Sequence, residues 1–144
     1  MVSRERIVVG GDTTPSASAA LRWAAEEAAR HQQTVVVVHA FDLEGRADLA
    51  FERDLDRSRR DARYRTQSWV VEILGDSGFE VPVMVQTPDS SVEDALVAAS
   101  RNAVMVVVGA PQNNRRRDLA ARLSRRCACP VVMIGSGQTP ALVG

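Results

Sequence analysis

The chain has 144 residues, of which 45% are hydrophobic and 25% charged, and its eighteen basic and eighteen acidic side chains leave a formal net charge of zero. That length fits one domain with a real core, and the charge balance provides no global charge that would argue for nucleic acid or an acidic surface as partner. All eighteen basic residues are arginine, which with the abundant Ala and Val reads as a GC-rich coding bias rather than as function.

The chain opens with Met1 to Arg6, which lack the apolar stretch of a secretory leader. Ile7-Val8-Val9-Gly10 then predicts a short buried strand, closed by Gly10-Gly11-Asp12-Thr13. Thr14 is suited to cap a helix that has Pro15 at its first position and runs from Ser16 to about Arg30. Its stripe of Leu21, Ala24, Ala25 and Ala28 is small, which predicts close approach to a sheet. Thr34 to Phe41 predicts a second fully buried strand, and His31 at the preceding helix end is expected to meet the last carbonyls.

Residues 42–48 read as a loop, followed by a charged helix from about Leu49 to Leu74, with two alternatives for Asp42 to Leu74, a single helix or a mobile loop before a shorter one. Its buried stripe is expected to be Phe51, Leu55, Ala62, Trp69, Val70 and Ile73. Val81 to Val85 predicts a strand that Pro82 places at a sheet edge or at its own start, because proline donates no ladder bond. Pro88-Asp89-Ser90-Ser91 opens a third helix with Val92, Ala95, Leu96 and Ala99 at i, i+3, i+4 and i+7.

Ala103 to Gly109 is a continuous apolar run stopped by glycine, the mark of an interior strand in a parallel sheet. A loop rich in arginine follows, with Arg115, Arg116 and Arg117, and then a helix over about 118–127 with Leu119, Ala120 and Leu123 inward. Pro130 to Ile134 is read as the last strand, and residues 135–144 as a frayed tail. Five strands alternating with four helices predict a single α/β domain over residues 1–144, built on an open parallel sheet with right-handed crossovers. In such a sheet, ligands bind beyond the carboxyl ends of the strands where strand order reverses.

Four segments together resemble the universal stress protein family: Ile7 to Ser16 running into Ala20-Leu21-Arg22-Trp23-Ala24, Val35 to His39, Leu96 to Ala99 leading into Val106 to Gly109, and Cys129 to Ile134. The resemblance covers nearly the whole chain. It implies a three-layer, Rossmann-like sheet of order 3-2-1-4-5 with its switch point between strands one and four. It also implies a homodimer paired through the last strand, Val131 to Ile134, while the two sparse cysteines and the N-terminus without a leader-like stretch lead us to expect a cytoplasmic protein.

One branch of that family binds ATP through G-x2-G-x9-G-[ST], whose glycines let backbone amides reach the phosphates. This sequence keeps Gly109, but Gln112 stands at the second glycine and Arg122 and Leu123 at the final pair. A backbone cradle of that type is absent. The adenosine half is better kept: Asp12 matches the aspartate after strand one, and Ala40 matches a position whose backbone faces adenine. The candidate ligand positions are therefore Gly10, Asp12, Thr13, Ala40, Gly109, Gln112 and Arg115.

Each has a plainer reading beside it. Asp12 favours turns and caps as readily as ligands. Arg115 to Arg117, with Arg122, Arg125 and Arg126, either replace the lost backbone contacts to an anion or form a solvated face paired with the acids of the long helix. The cluster lacks interleaved aromatics, which argues against nucleic acid. His39 is read as packed, and Cys127 and Cys129 as buried thiols, since C-x-C without further ligands completes no metal site. No nucleophile is paired with a base, so no catalytic residues are assigned. Three readings follow, in this order: a stress-type regulatory or interaction protein with no resident cofactor, a sensor of ATP, AMP or another anion using Asp12, Gly109 and the arginine loop, and last an ATP-hydrolysing enzyme.

Overall fold

Val8 faces one side of the sheet while Ile7 and Val9 face the other, and both sides are buried. That doubly covered pattern organises the molecule. The computed structural model describes residues 5–11, 14–40, 52–75, 80–110, 117–135 and 140–143. Among them, β1 (Arg6–Gly10) lies at the centre, with β2 (Thr34–Val38) on one side and β4 (Met105–Gly109) on the other, both parallel to it. The edge strand β3 (Val83–Gln86) pairs with β2, and β5 (Val131–Ile134) pairs with β4, again in parallel. The order β3-β2-β1-β4-β5 is that implied by the family resemblance, with the reversal between β1 and β4.

A sixth strand corrects the expected frayed tail. Pro140–Val143, β6, runs antiparallel to β5, with Val132 opposite Leu142 and Ile134 opposite Pro140. The outer edge of β5 would otherwise expose unpaired N–H and C=O groups. Ala141, Leu142 and Val143 supply the ladder, and Pro140 sits at the strand start, where its missing donor costs least.

Helices cover both faces. On one, α1 (Pro15–His31) and α2 (Glu52–Leu74) pack over Ile7, Val9, Val35, Val37, Val107 and Ile134. On the other, α3 (Val92–Ser100) and α4 (Arg117–Arg126) pack over Val8, Val36, Val38, Val106, Val108 and Val131. The strands thus obey the period of two, and each valine run is buried on both sides.

The start of α1 follows local chemistry. Thr14 accepts from the Ala17 amide at 3.2 Å, Pro15 occupies the first turn, and Ala17, Ala20, Leu21, Ala24 and Ala28 are buried. The helix ends on Gln32 in the left-handed region at φ 56. His31 pairs with Glu27, 3.1 Å away, rather than with the terminal carbonyls. In α2, Ala62, Trp69 and Val70 are buried and Ile73 packs beside them, as the stripe predicts, whereas Phe51 and the Leu55 side chain lie outside the described residues. Ser91 caps α3, and Ala95 and Leu96 are buried, but Val92 is 45% exposed because it sits at the helix entrance beyond the sheet. β2 stops at Val38, although the His39 amide still donates to Gln86 at 2.9 Å.

Candidate functional site

The switch point lies where β1 and β4 end side by side, and two glycines close those strands for different reasons. Gly109 is in contact with the first turn of α1. A Cβ there would stand 2.6 Å from the Ser16 carbonyl carbon and 2.7 Å from the Ala17 amide nitrogen. Only a residue without a side chain lets the helix start this close to the strand end. Gly10 is under no such pressure, since an added Cβ would meet Leu96 and Val108 side chains at 3.6 Å, an ordinary contact.

The glycine that sequence reasoning passed over is Gly11. A Cβ there would stand 2.7 Å from Val37 Cγ1 and 3.5 Å from the Trp69 ring. Its amide donates to the Val38 carbonyl at 3.0 Å, and its own carbonyl lies 2.6 Å from His39 Nδ1. A carbonyl only accepts, so Nδ1 carries the proton. His39 is therefore partly buried and bonded, and the packed reading captured its burial without its partner. The doubled glycine at the end of β1, Gly10-Gly11, was the available signal.

A second chain of bonds fixes the α1 entrance. The Trp69 indole N–H donates to Ser18 Oγ at 3.2 Å, and Ser18 Oγ donates to the Thr14 carbonyl at 3.2 Å. The first turn of α1 carries no acidic residue, so the positive end of the helix dipole faces the switch point without a carboxylate in that turn.

Of the seven candidate positions, Gly10, Ala40 and Gly109 are described. Ala40 packs against the core on the α3 and α4 side. Asp12, Thr13, Gln112 and Arg115 lie outside the described residues, as does Arg116, and Arg117 opens α4 with its side chain undescribed.

Of the other arginines in the cluster, Arg122 and Arg126 are committed to carboxylates, while Arg125 donates to the Ala121 carbonyl of its own helix at 3.3 Å. Arg122 Nε donates to Glu93 at 2.7 Å, and Arg126 reaches Glu93 at 3.0 Å and Asp94 at 3.1 Å. Their partners belong to α3 and not, as expected, to the long α2. The reason is layering: α4 and α3 share one face of the sheet while α2 covers the other. Arg59 of α2 pairs instead with Asp89. Asp94, through its hydrogen bond first, and Glu93 hold the Arg126 guanidinium above its ordinary range. Leu123, where the glycine-rich pattern would place its Ser or Thr, is fully buried in the core under α4.

Cys127 and Cys129 are half-buried free thiols. Burial raises Cys127, opposed by Ser100 and Arg126, and pushes Cys129 up to about 11, with Cys127 adding to the rise. Protonated thiols neither ligate metals nor attack electrophiles well. Among the described residues, no group of three His, Cys, Asp or Glu side chains is placed to hold a metal ion. Nor is any helix among them long and apolar enough to cross a membrane.

Known proteins share this fold. The sequence profile of the universal stress protein family matches residues 3–135. A universal stress protein of Mycolicibacterium smegmatis is 31% identical over 109 residues, covering 72% of this chain but 37% of its own length. This chain thus spans little more than a third of that relative. A crystal structure of a universal stress protein in complex with cAMP superposes with a TM-score of 0.72 at 18% identity, covering 90% of this chain and 96% of that one, a likeness of fold. The universal stress protein of Archaeoglobus fulgidus in complex with dAMP is 27% identical, with a TM-score of 0.64 over 92% of this chain and 98% of that one. With the profile spanning nearly the whole chain and the sheet order in agreement, the chain belongs to the universal stress protein family.

Proposed function

We propose that this protein is a stress-type regulator whose switch-point crevice takes an adenine mononucleotide and does not cradle a triphosphate in the manner of the glycine-rich branch. The observation that carries it is the convergence at one point of the ends of β1 and β4 with the start of α1, whose first turn bears no acid. The dAMP-bound relative from Archaeoglobus fulgidus, at 27% identity, supports adenosine as the ligand class. Against a glycine cradle stands α4, which occupies the positions of the final pair, with Leu123 in the core and Arg122 held by Glu93. The residues present do not fit that cradle.

In this reading the protein acts by binding, not catalysis, as a cytoplasmic homodimer, and Asp12 and Ala40 hold the nucleoside. The loop arginines Arg115, Arg116 and Arg117 are then the side chains that meet a phosphate.

Thermal unfolding with AMP, cAMP and magnesium ATP tests it. A ligand of the folded state at a hundred times its Kd adds about 2.7 kcal/mol, which for a domain this size is roughly 10 °C in Tm. AMP is expected to raise Tm at lower concentration than ATP, and Arg115→Ala with Arg116→Ala to blunt the rise. A rise with ATP alone overturns the mononucleotide reading. No rise with any nucleotide leaves a regulator that works through protein partners.

A further inference from the structure

The exits of β1 and β2 are tied by a side chain. We propose that His39 is a positioning residue for the nucleotide: its Nδ1–H holds the Gly11 carbonyl and so sets the near wall of the crevice. The proposal rests on the reading of the site given above.

Both polar groups of Gly11 are taken by two consecutive residues of the β2 exit. Val38 accepts its N–H at 3.0 Å and His39 donates to its carbonyl at 2.6 Å. The His39 amide in turn donates to Gln86 at 2.9 Å, so β3 anchors the residue that anchors the turn. Val37 and Trp69 fill the space where a Gly11 side chain would go, which leaves the turn no room on that side. The next residue after Gly11 is Asp12 and the next after His39 is Ala40, the two positions assigned to the nucleoside. One hydrogen bond therefore spans the two segments that must be correctly spaced for a ligand to sit between them.

This bond lies outside the regular β1–β2 ladder. The ladder between β1 and β2 is complete from Arg6 opposite Thr34 to Gly10 opposite Val38 before the imidazole is reached. Removing the imidazole donor leaves that ladder intact and releases the carbonyl beyond it.

Two variants separate positioning from stability. His39→Asn keeps an amide donor close to where Nδ1 stands, and His39→Leu keeps bulk without a donor. AMP affinity by calorimetry is expected to fall about tenfold in His39→Leu and to return to within about threefold of the parent in His39→Asn, the scale of one hydrogen bond. The urea midpoint of His39→Leu is expected to fall only slightly below that of His39→Asn, so that both variants remain fully folded in the binding assay. Equal loss in both variants, or parent-like binding by His39→Leu, overturns the proposal.

A readout free of ligand accompanies it. Nitrogen-15 spectra of the neutral imidazole are expected to show the Nδ1–H tautomer, and exchange of the Gly11 amide to quicken in His39→Leu but not in His39→Asn. The Nε2–H tautomer, or unchanged Gly11 exchange, overturns the latch. If the parent binds no AMP while these two signatures hold, the adenine reading fails and the latch stands without it.

Discussion

At the residue scale, three adjacent-looking glycines do three different things. Gly109 is demanded by the backbone of Ser16 and Ala17, Gly11 by Val37 and Trp69, and Gly10 by neither. Gly109→Ala forces α1 away from β4 and should cost about 1–3 kcal/mol, as overpacking of a close-packed interior does. Gly10→Ala meets only ordinary contacts and should change stability by less than about 1 kcal/mol. Urea unfolding of the pair checks the contrast, and equal losses would contradict the packing described. The thiols give a pH prediction. Cys129 is held protonated up to about 11 against an ordinary 9.0, so its contribution to stability is present below the ordinary value and lost as pH rises through the raised one. Its alkylation by iodoacetamide should therefore still be climbing above pH 10, where an ordinary thiol has levelled off.

At the element scale, the site owes its shape to how helices attach to strand ends. The first turn of α1 is capped by Thr14, bonded through Ser18 to Trp69 of α2, and in contact with Gly109 of β4. Trp69→Phe keeps most of the buried ring and removes the N–H bond to Ser18. A loss of about 0.5–1.5 kcal/mol is expected by denaturant unfolding, together with weaker nucleotide binding if α1 loosens at its start. On the opposite face, the Glu93, Asp94, Arg122 and Arg126 ion pairs fasten α4 to α3. These pairs are exposed and screened, so they align the two helices more than they hold the domain together.

At the scale of the whole molecule, β6 bears on assembly. The homodimer expected through Val131 to Ile134 needs an edge that β6 occupies in this chain. If two copies pair through β5, β6 must give up its place, and removal of residues 140–144 should then shift the equilibrium toward dimer. Light scattering across micromolar concentrations measures that shift. An unchanged mass distribution after truncation would remove β5 as the pairing strand.

Much of the architecture was legible in short windows of sequence. Valine runs ended by glycine, Thr14 before Pro15, and the cap at Ser91 are local signals, because strand periodicity and helix capping depend on residues a few positions apart. They sufficed for the alternation, the helix starts and the strand ends that make the switch point. What only the tertiary structure decided involves partners far apart in the chain. His39 meets Gly11, Trp69 meets Ser18, and Arg122 meets Glu93 across separations that no spacing rule encodes. The strand at Pro140–Val143 exists because an edge waits for it, and Gly109 is needed because a helix starts against it. Local pattern determines which element forms, and packing determines what each residue within it is for.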